Sequence, residues 1–485
     1  MRIPPALHAI YDDNHPFIVV QKPAQIGMTE CNVNVAFHAA LTMRGGRGHV
    51  GYIMPTQENA DRLSQDRIAR AIRESRSLQS LINDPAGGVR GPQRMQMRQV
   101  GDGLVYLTGA DQPSQYTGLD LDLVILDEYD LMKEDILPQA IGRLRSSKRP
   151  QLRVTSTPTI PEFGINGLLE QSDLNHYELR CANCGIWLEP SFPEQVDFER
   201  NLVVCNCGAE LSPYLPGRWV PRRPDRNEIR GYQLNRLTLP DPPLAQMRLA
   251  ANGTIGMRAE EFWRLDLGVP YVSSDSRISI ADLDRCRVEP PPPILAAAPD
   301  AVVMGIDVGV HCFWVVIRGF FKKRSFLLFA GRVEGDWDGL VALAKQYKVT
   351  WCAVDALPDT RGAMMLQRML QDAGAYVFIC YYNRQHAHDY DWGPPATINA
   401  ARTLALDETF DAFRRQHHLL PADARSLTGG AYYEHMQALV RTTTPDDFGQ
   451  PIPTYRHTRP DDFAHAENYL TLIANIWGQW GGWWE

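Results

Sequence analysis

Four apolar residues in succession, Leu123-Val124-Ile125-Leu126, run straight into two adjacent carboxylates, Asp127 and Glu128. An unalternated apolar run describes a strand covered on both faces, and such strands belong to parallel sheets flanked by helices. The runs Phe17–Val20, Gly51–Met54 and Leu152–Thr155 fit the same sheet, with helix-like segments from Thr29 and across Glu58–Leu81. Strands alternating with helices predict an α/β domain. A buried strand ending in Asp-Glu sets Asp127 beside the metal of a bound nucleotide and leaves Glu128 to orient attacking water. The plainer alternative is a strand that simply ends in acids.

The upstream loop weighs against that alternative. Lys22-Pro-Ala-Gln25-Ile-Gly27-Met28-Thr29 lies between a strand and a helix, where free backbone N–H groups and the helix dipole together attract phosphate. Gln25 and Gly27 fall within the expected ATP-binding stretch, and Thr29 offers a hydroxyl to Mg²⁺. The GxxxxGK[ST] pattern is incomplete. Its first glycine is absent and Met28 stands at the usual lysine position, so Lys22 is the expected contact for the β/γ-phosphates. Thr155-Ser156-Thr157-Pro158 closes the next strand, with small hydroxyl residues placed to sense the γ-phosphate and couple hydrolysis to motion.

Four of the nine cysteines crowd into one stretch as two knuckles, Cys181-x-x-Cys184-Gly and Cys205-x-Cys207-Gly, with twenty residues between the pairs. Two thiolate pairs, each followed by glycine, predict a Cys₄ zinc ribbon. Four closed ligands leave no open position, so the Zn²⁺ expected here is structural and holds together an insert too short to build a core.

The clearest break in composition is Glu289-Pro-Pro-Pro-Pro293, stiff and unable to join a sheet. Beyond it the pattern is βββαβαβ, which predicts a ribonuclease-H-like sheet: a strand at Val302–Ile306, a pair at Phe313–Arg318 and Ser325–Phe329 around Lys322-Lys323, then helix, strand, helix and strand to Cys380. Acids fall at the ends of these elements. Asp307 ends the first strand, Asp355 the fourth, and Asp461-Asp462 opens a helix-like segment through Tyr469. Two-metal cleavage of phosphodiesters needs carboxylates converging on ions ~3.5–4 Å apart, and Mg²⁺ or Mn²⁺ is the expected pair. Taken singly, each acid reads as a turn or cap residue.

The expected order is therefore a P-loop NTPase parallel sheet over residues 1–180 and a zinc-ribbon insert over 181–210. The remainder of that region or a connecting subdomain follows over 211–285. A proline-rich linker then covers 286–300, and a ribonuclease-H-like α/β nuclease domain covers 301–485. Two domains suit 485 residues. A net charge of −8 excludes nucleic-acid binding by bulk positive charge, but not by a local track. Arg62, Arg67, Arg70, Arg73 and Arg76 recur at near-helical spacing and fit a solvated helix face as well as a DNA track. No apolar run approaches the ~20 residues of a membrane span. The first ten residues also lack the layout of a secretory signal. The expectation is a soluble intracellular protein without membrane contact.

The order of these motifs resembles the large subunit of tailed-phage terminases, and most of all the lambda-type group with a cysteine-rich insert. The resemblance rests on Lys22 to Thr29, Leu126-Asp127-Glu128, Thr155 to Pro158, Cys181 to Cys207, Gly305-Ile-Asp-Val308 and Asp461 to Tyr469. It implies an ATP-driven motor that threads double-stranded DNA into a procapsid and a nuclease that cuts the concatemer. It further implies a ring, usually a pentamer, docked on the portal protein and served by a small terminase subunit. The implied location is the host cytoplasm, with transient procapsid docking and absence from the mature virion. Two departures from the family stand out. The chain begins close to its phosphate loop, and Gln115-Tyr-Thr-Gly118 stands where many large terminases place an arginine, which leaves Arg143 or Arg145 as the candidate arginine finger. A DNA-binding scaffold with a decayed ATPase and a helicase–nuclease of repair or defence remain as alternatives.

Overall fold

The computed structural model describes residues 4–82, 93–133, 135–215, 217–254, 258–288, 298–321, 324–335, 337–385, 387–445 and 451–481. The chain forms two compact units, Met1–Tyr271 and Val272–Glu485. The proline run and the Lys322-Lys323 turn lie outside the described residues.

The first unit is built on an eleven-stranded sheet. Its centre is parallel and runs in the order Arg230–Gln233, Phe17–Gln21, Gln151–Ser156, Leu123–Asp127, His49–Met54, Gly103–Gly109. Every residue of Leu123–Asp127 is buried, as the unalternated run predicts for a two-faced strand. One strand separates the loop strand from the acidic strand, and its register sets Ser156 beside Gln21 and Thr155 beside Asp127. The phosphate loop, the acidic end and the hydroxyl-rich end therefore open at the same carboxyl edge, where ligands of open α/β sheets bind.

The cysteine insert grows from the edge of this sheet. The strand Asn175–Arg180 leads into Cys181 and pairs with Trp187–Leu188 to form the first knuckle. A hairpin of Val196–Asp197 with Leu202–Val203 carries the second. The chain then returns as Arg218–Pro221, antiparallel to Asn175–Arg180. Residues 211–285 are consequently no separate subdomain. Their strands Arg218–Pro221 and Arg230–Gln233 complete the first sheet, while Arg287–Val288, just past the helix Ile280–Arg285, pairs with His418–Pro421 in the second. The two compact units meet in sequence at Tyr271/Val272, upstream of the expected 286–300 linker.

The expected helix over Glu58–Leu81 is interrupted. It comprises Gln57–Arg62, a widened turn over Leu63–Ile68, Ala69–Glu74, and, after Ser75, Arg76–Ile82. Arg62 pairs with Glu58, Arg67 with Glu30 at 3.1 Å and Arg70 with Glu74 at 2.8 Å, all exposed. For these three arginines the solvated-face reading holds.

In the second unit the sheet runs Arg324–Glu334, Cys312–Phe321, Ala301–Val308, Trp351–Asp355, Tyr376–Arg384. The first two pairings are antiparallel and the next two parallel. That is the ribonuclease-H-like arrangement expected from βββαβαβ. The hairpin strands outrun the sequence expectation because Arg318, which reads as a strand end, is fully buried. Its guanidinium forms two 2.7 Å bonds with Glu467 of the C-terminal helix Asp462–Gly481. Helices Trp337–Tyr347 and Thr360–Asp372 cover the Met304/Ile306 face. The Val303/Ala353 face takes Arg402–Arg414 and the C-terminal helix. That last helix lies so close to the first strand that a Cβ on Gly305 would stand 2.0 Å from the Ala466 carbonyl oxygen.

Candidate functional site

At the edge of the first sheet, Gln25 and Gly27 take left-handed backbone conformations (φ 57° and 84°) and turn the chain into the helix Met28–Thr42. A fifteen-residue helix supplies both the N-terminal N–H groups and the dipole that an anion needs. The Met28 side chain is buried in the core, which leaves only its backbone N–H to an anion, while the Thr29 side chain stays partly open at the first turn. The loop's one lysine is Lys22. Its Nζ donates to Glu128 Oε1 at 2.7 Å and lies 3.4 Å from Thr157 Oγ1, while its backbone N–H bonds the Ser156 carbonyl at 3.0 Å. Glu128 itself is held at φ 61°, a strained backbone for a non-glycine residue of the kind found at functional sites. Bracing comes from residues that drew no attention in the sequence. The Ala24 N–H bonds Leu265 O at 2.8 Å, Gln21 Nε2 bonds Gly268 O at 2.9 Å, and Arg236 reaches Ala24 O.

The three hydroxyl residues are not equivalent. Thr155 is buried, donating to Asp127 Oδ1 at 2.7 Å and accepting from Asn32 at 2.9 Å. The Ser156 hydroxyl accepts from the Asp130 N–H at 3.1 Å, so of the three hydroxyls it is that of Thr157 that lies near the lysine ammonium. Asp127 is also engaged at its other oxygen by the Tyr52 hydroxyl at 2.6 Å. Both carboxylate oxygens thus have one protein donor each, which fixes the carboxylate and leaves each oxygen a second lone pair. Arg143 lies elsewhere. Its carbonyl accepts from Leu121 N–H at 3.1 Å, before the acidic strand begins, and with Arg145 it lines a cavity of about 400 Å³ beside Tyr116 and Gln139. Leu121 to Glu128 spans roughly 20 Å of extended chain, so neither arginine belongs to its own chain's loop.

The four cysteine sulfurs all lie within 4.8 Å of one another, with Cys181–Cys207 at 3.7 Å and Cys184–Cys205 at 3.6 Å. Ligands ~2.3 Å from a tetrahedral zinc stand about 3.8 Å apart, so the set fits the ion. A backbone hydrogen bond from Ala209 heads the causes that bring the Cys207 thiol down to about 6, which favours the thiolate a metal requires.

In the second unit Asp307 and Asp355 end adjacent parallel strands, and Asp461 and Asp462 come to them on the C-terminal helix. Desolvation, and after it the charges of Asp355, Asp462 and Asp461, pushes the Asp307 carboxyl well above its usual range. Desolvation also raises Asp355, against hydrogen bonds from the Leu357 N–H at 3.2 Å and from Tyr469. The Tyr469 hydroxyl reaches Asp307 as well. A carboxyl raised in this way by burial and three neighbouring acids marks a place that gains from a bound cation. Desolvation pushes Asp461 up as well, yet His465, His457 and Arg402 together hold it below its usual value. Sequence reading missed His435, His465 and Tyr469, although the i, i+4 spacing of Asp461, His465 and Tyr469 on one helix face was open to view.

Residues 5–213 match the family model described as phage terminase large subunit gpA, ATPase domain. No curated protein matches the chain. Among solved structures it is similar to the large terminase of a thermophilic bacteriophage, at 14% identity over 95% of this chain and 94% of that one, with a TM-score of 0.32. It is also similar to the large terminase ATPase domain of Thermus phage P74-26 (15%, 56% of this chain and 94% of that one, TM-score 0.35). A third likeness is to the large terminase nuclease of the thermophilic phage G20c with bound magnesium (11%, 36% of this chain and 81% of that one, TM-score 0.26). These structural likenesses are too distant to carry weight, whereas the family match spans the phosphate loop, the acidic strand, Thr155 to Thr157 and all four clustered cysteines. Through residues 5–213 the chain is thus similar to the ATPase domain of the phage terminase large subunit gpA.

Proposed function

We propose that the chain is a viral DNA-packaging motor with its own nuclease. ATP hydrolysis in the first unit drives double-stranded DNA into a procapsid, and the carboxylates of the second unit cut the concatemer. The observation that carries this reading is the pairing on one chain of a gpA-type ATPase domain with a ribonuclease-H-like sheet whose edge gathers Asp307, Asp355 and Asp462. The loop and the helix N-terminus hold the ATP phosphates, with Lys22 as their cation. Glu128 orients water toward the γ-phosphate, and Thr157 passes the change in Lys22 to the strand behind it. Mg²⁺ supplies charge neutralisation at the β/γ-phosphates, with Thr29 and Asp127 as the residues placed to hold it. In the second unit divalent ions, Mg²⁺ or Mn²⁺, supply an activated water and a stabilised leaving oxygen, and the acids offset their mutual repulsion.

The cysteine set is read as one structural Zn²⁺. The cavity with Arg143 and Arg145 is read as the arginine-finger face, acting on the nucleotide of an adjacent copy in a ring. The reading includes a pentamer docked at the portal, a small terminase subunit as DNA selector, and transient residence on the procapsid in the host cytoplasm. The decayed-ATPase alternative drew on Met28; Lys22 beside Glu128 at 2.7 Å favours an active site over it. The test is an assay of the purified chain for DNA-stimulated ATPase and for plasmid cleavage with Mg²⁺ or Mn²⁺. Absence of both activities would overturn the reading.

A further inference from the structure

Asp461 and Asp462 are neighbours in sequence with the same side chain, yet their surroundings differ in kind. One oxygen of Asp461, Oδ2, faces nitrogens from three directions. His465 Nε2 stands 3.3 Å away, one turn along the same helix. Arg402 Nη2, at the head of the helix Arg402–Arg414, and His457 Nδ1, at the end of the strand Pro451–His457, each stand 3.9 Å away. These neighbours are themselves fixed. Arg402 Nη1 donates to Tyr455 O at 2.9 Å and its Nη2 faces His465 Nε2 at 3.3 Å. His465 Nδ1 lies 3.2 Å from the Tyr382 hydroxyl, which accepts from Asn468 at 2.5 Å. Asp461 Oδ2 is buried, so these three side chains are the clamp it faces in place of water.

Asp462 has no such clamp. Its nearest ionic partner is a single imidazole, His435 Nδ1 at 3.3 Å, in a ring packed on Trp314 and Phe463 with centroids 4.7 and 5.3 Å away. Its charge acts on Asp307 more strongly than that of Asp461, and it also reaches Arg332. A divalent ion at Asp461 Oδ2 would stand beside the Arg402 guanidinium, and like charges that close repel. At Asp462 it would meet carboxylates.

We infer that the pair divides its work: Asp462 completes the ion-binding set with Asp307 and Asp355, while Asp461 is a positioning residue that ties Arg402, His457 and His465 together. The clamp fixes the first turn of the C-terminal helix, and with it the direction of Asp462, against the strand that carries Tyr382. This rests on the nuclease reading. It adds to that reading a role that no ion-binding motif contains, since a carboxylate beside an ion site ordinarily counts as a ligand.

The test is Mn²⁺ titration of the full chain by calorimetry, together with plasmid cleavage and thermal unfolding without metal. Asp462→Asn should lose Mn²⁺ binding and cleavage while unfolding at or above the wild-type temperature. Asp461→Asn should keep Mn²⁺ stoichiometry, with affinity within ~10-fold, while unfolding earlier and cutting ~10–100-fold more slowly, as expected when a supporting partner is lost. Asp461→Glu should recover part of both losses. Should Asp461→Asn fail to fold, His465→Gln serves instead and should bind Mn²⁺ normally. Loss of Mn²⁺ binding by Asp461→Asn or His465→Gln, with Asp462→Asn unaffected, would overturn the division and leave the nuclease reading intact. A wild-type chain that neither binds Mn²⁺ nor cuts DNA would overturn both.

Discussion

Glu128 shows how much chemistry one residue's environment can decide. Its carboxylate meets Lys22 at 2.7 Å in a backbone conformation that most residues avoid. Glu128→Gln should lower ATP turnover by about 10²–10⁴-fold, the ordinary worth of a positioned base, as read in a steady-state phosphate-release assay. Lys22→Ala should weaken nucleotide binding in a fluorescence titration, and an unchanged affinity would remove Lys22 from the site. Asp307 makes a prediction of the opposite kind. Its folded-state pKa is raised above the ordinary 3.8, so the folded chain binds its proton more tightly than the unfolded chain. Its contribution is therefore most favourable at low pH, and stability falls as pH climbs through the raised value. Asp307→Asn should unfold at a higher temperature than wild type at neutral pH without metal, by a few degrees per ~1 kcal/mol. Added Mn²⁺ should stabilise wild type and not the variant. The residues that carry a charge or a motif position, Lys22, Glu128, Asp307 and Asp355, were legible in the sequence. Tyr52, Asn32, Tyr469 and His435 were not, because a partner is defined by the fold and not by spacing.

At the scale of elements, legibility followed burial. Phe17–Gln21 and Leu123–Asp127 stand within a residue of the apolar runs Phe17–Val20 and Leu123–Leu126, since an unbroken run leaves little choice. The hairpin Cys312–Phe321/Arg324–Glu334 was cut short by a charge whose partner, Glu467, lies 149 residues away. The strand Gly103–Gly109 escaped notice between glycines. Two elements depend on single positions. Gly305→Ala should push the C-terminal helix away from the first strand, costing about 1–3 kcal/mol in denaturant unfolding and impairing cleavage, because the Ala466 carbonyl already occupies the space a methyl would take. Glu467→Gln should cost more, ~3–5 kcal/mol, since Arg318 would be left buried with a neutral partner.

Across the whole molecule, the two sites should fail separately. The double variant Asp307→Asn/Asp355→Asn should abolish plasmid cutting and leave ATPase turnover near wild type, a contrast read on one preparation. Metal analysis of the chain purified under reducing conditions should find one zinc, and Cys184→Ser should release it. Because the strands entering and leaving the insert pair with each other at the edge of the ATPase sheet, the loss should be felt as earlier local unfolding of residues 175–221 by hydrogen exchange.

The contact between Lys22 and Glu128 has a consequence for the proposed function. A phosphate that draws Lys22 to itself would have to break that ion pair, and the same break would release the glutamate carboxylate. Under that reading, binding and readiness to hydrolyse are one exchange of partners. The same exchange gives Glu128→Gln a second signature beyond lost turnover. With its lysine less tightly held, that variant should bind ATP several-fold more tightly than wild type, the reverse of what damage to a binding site produces.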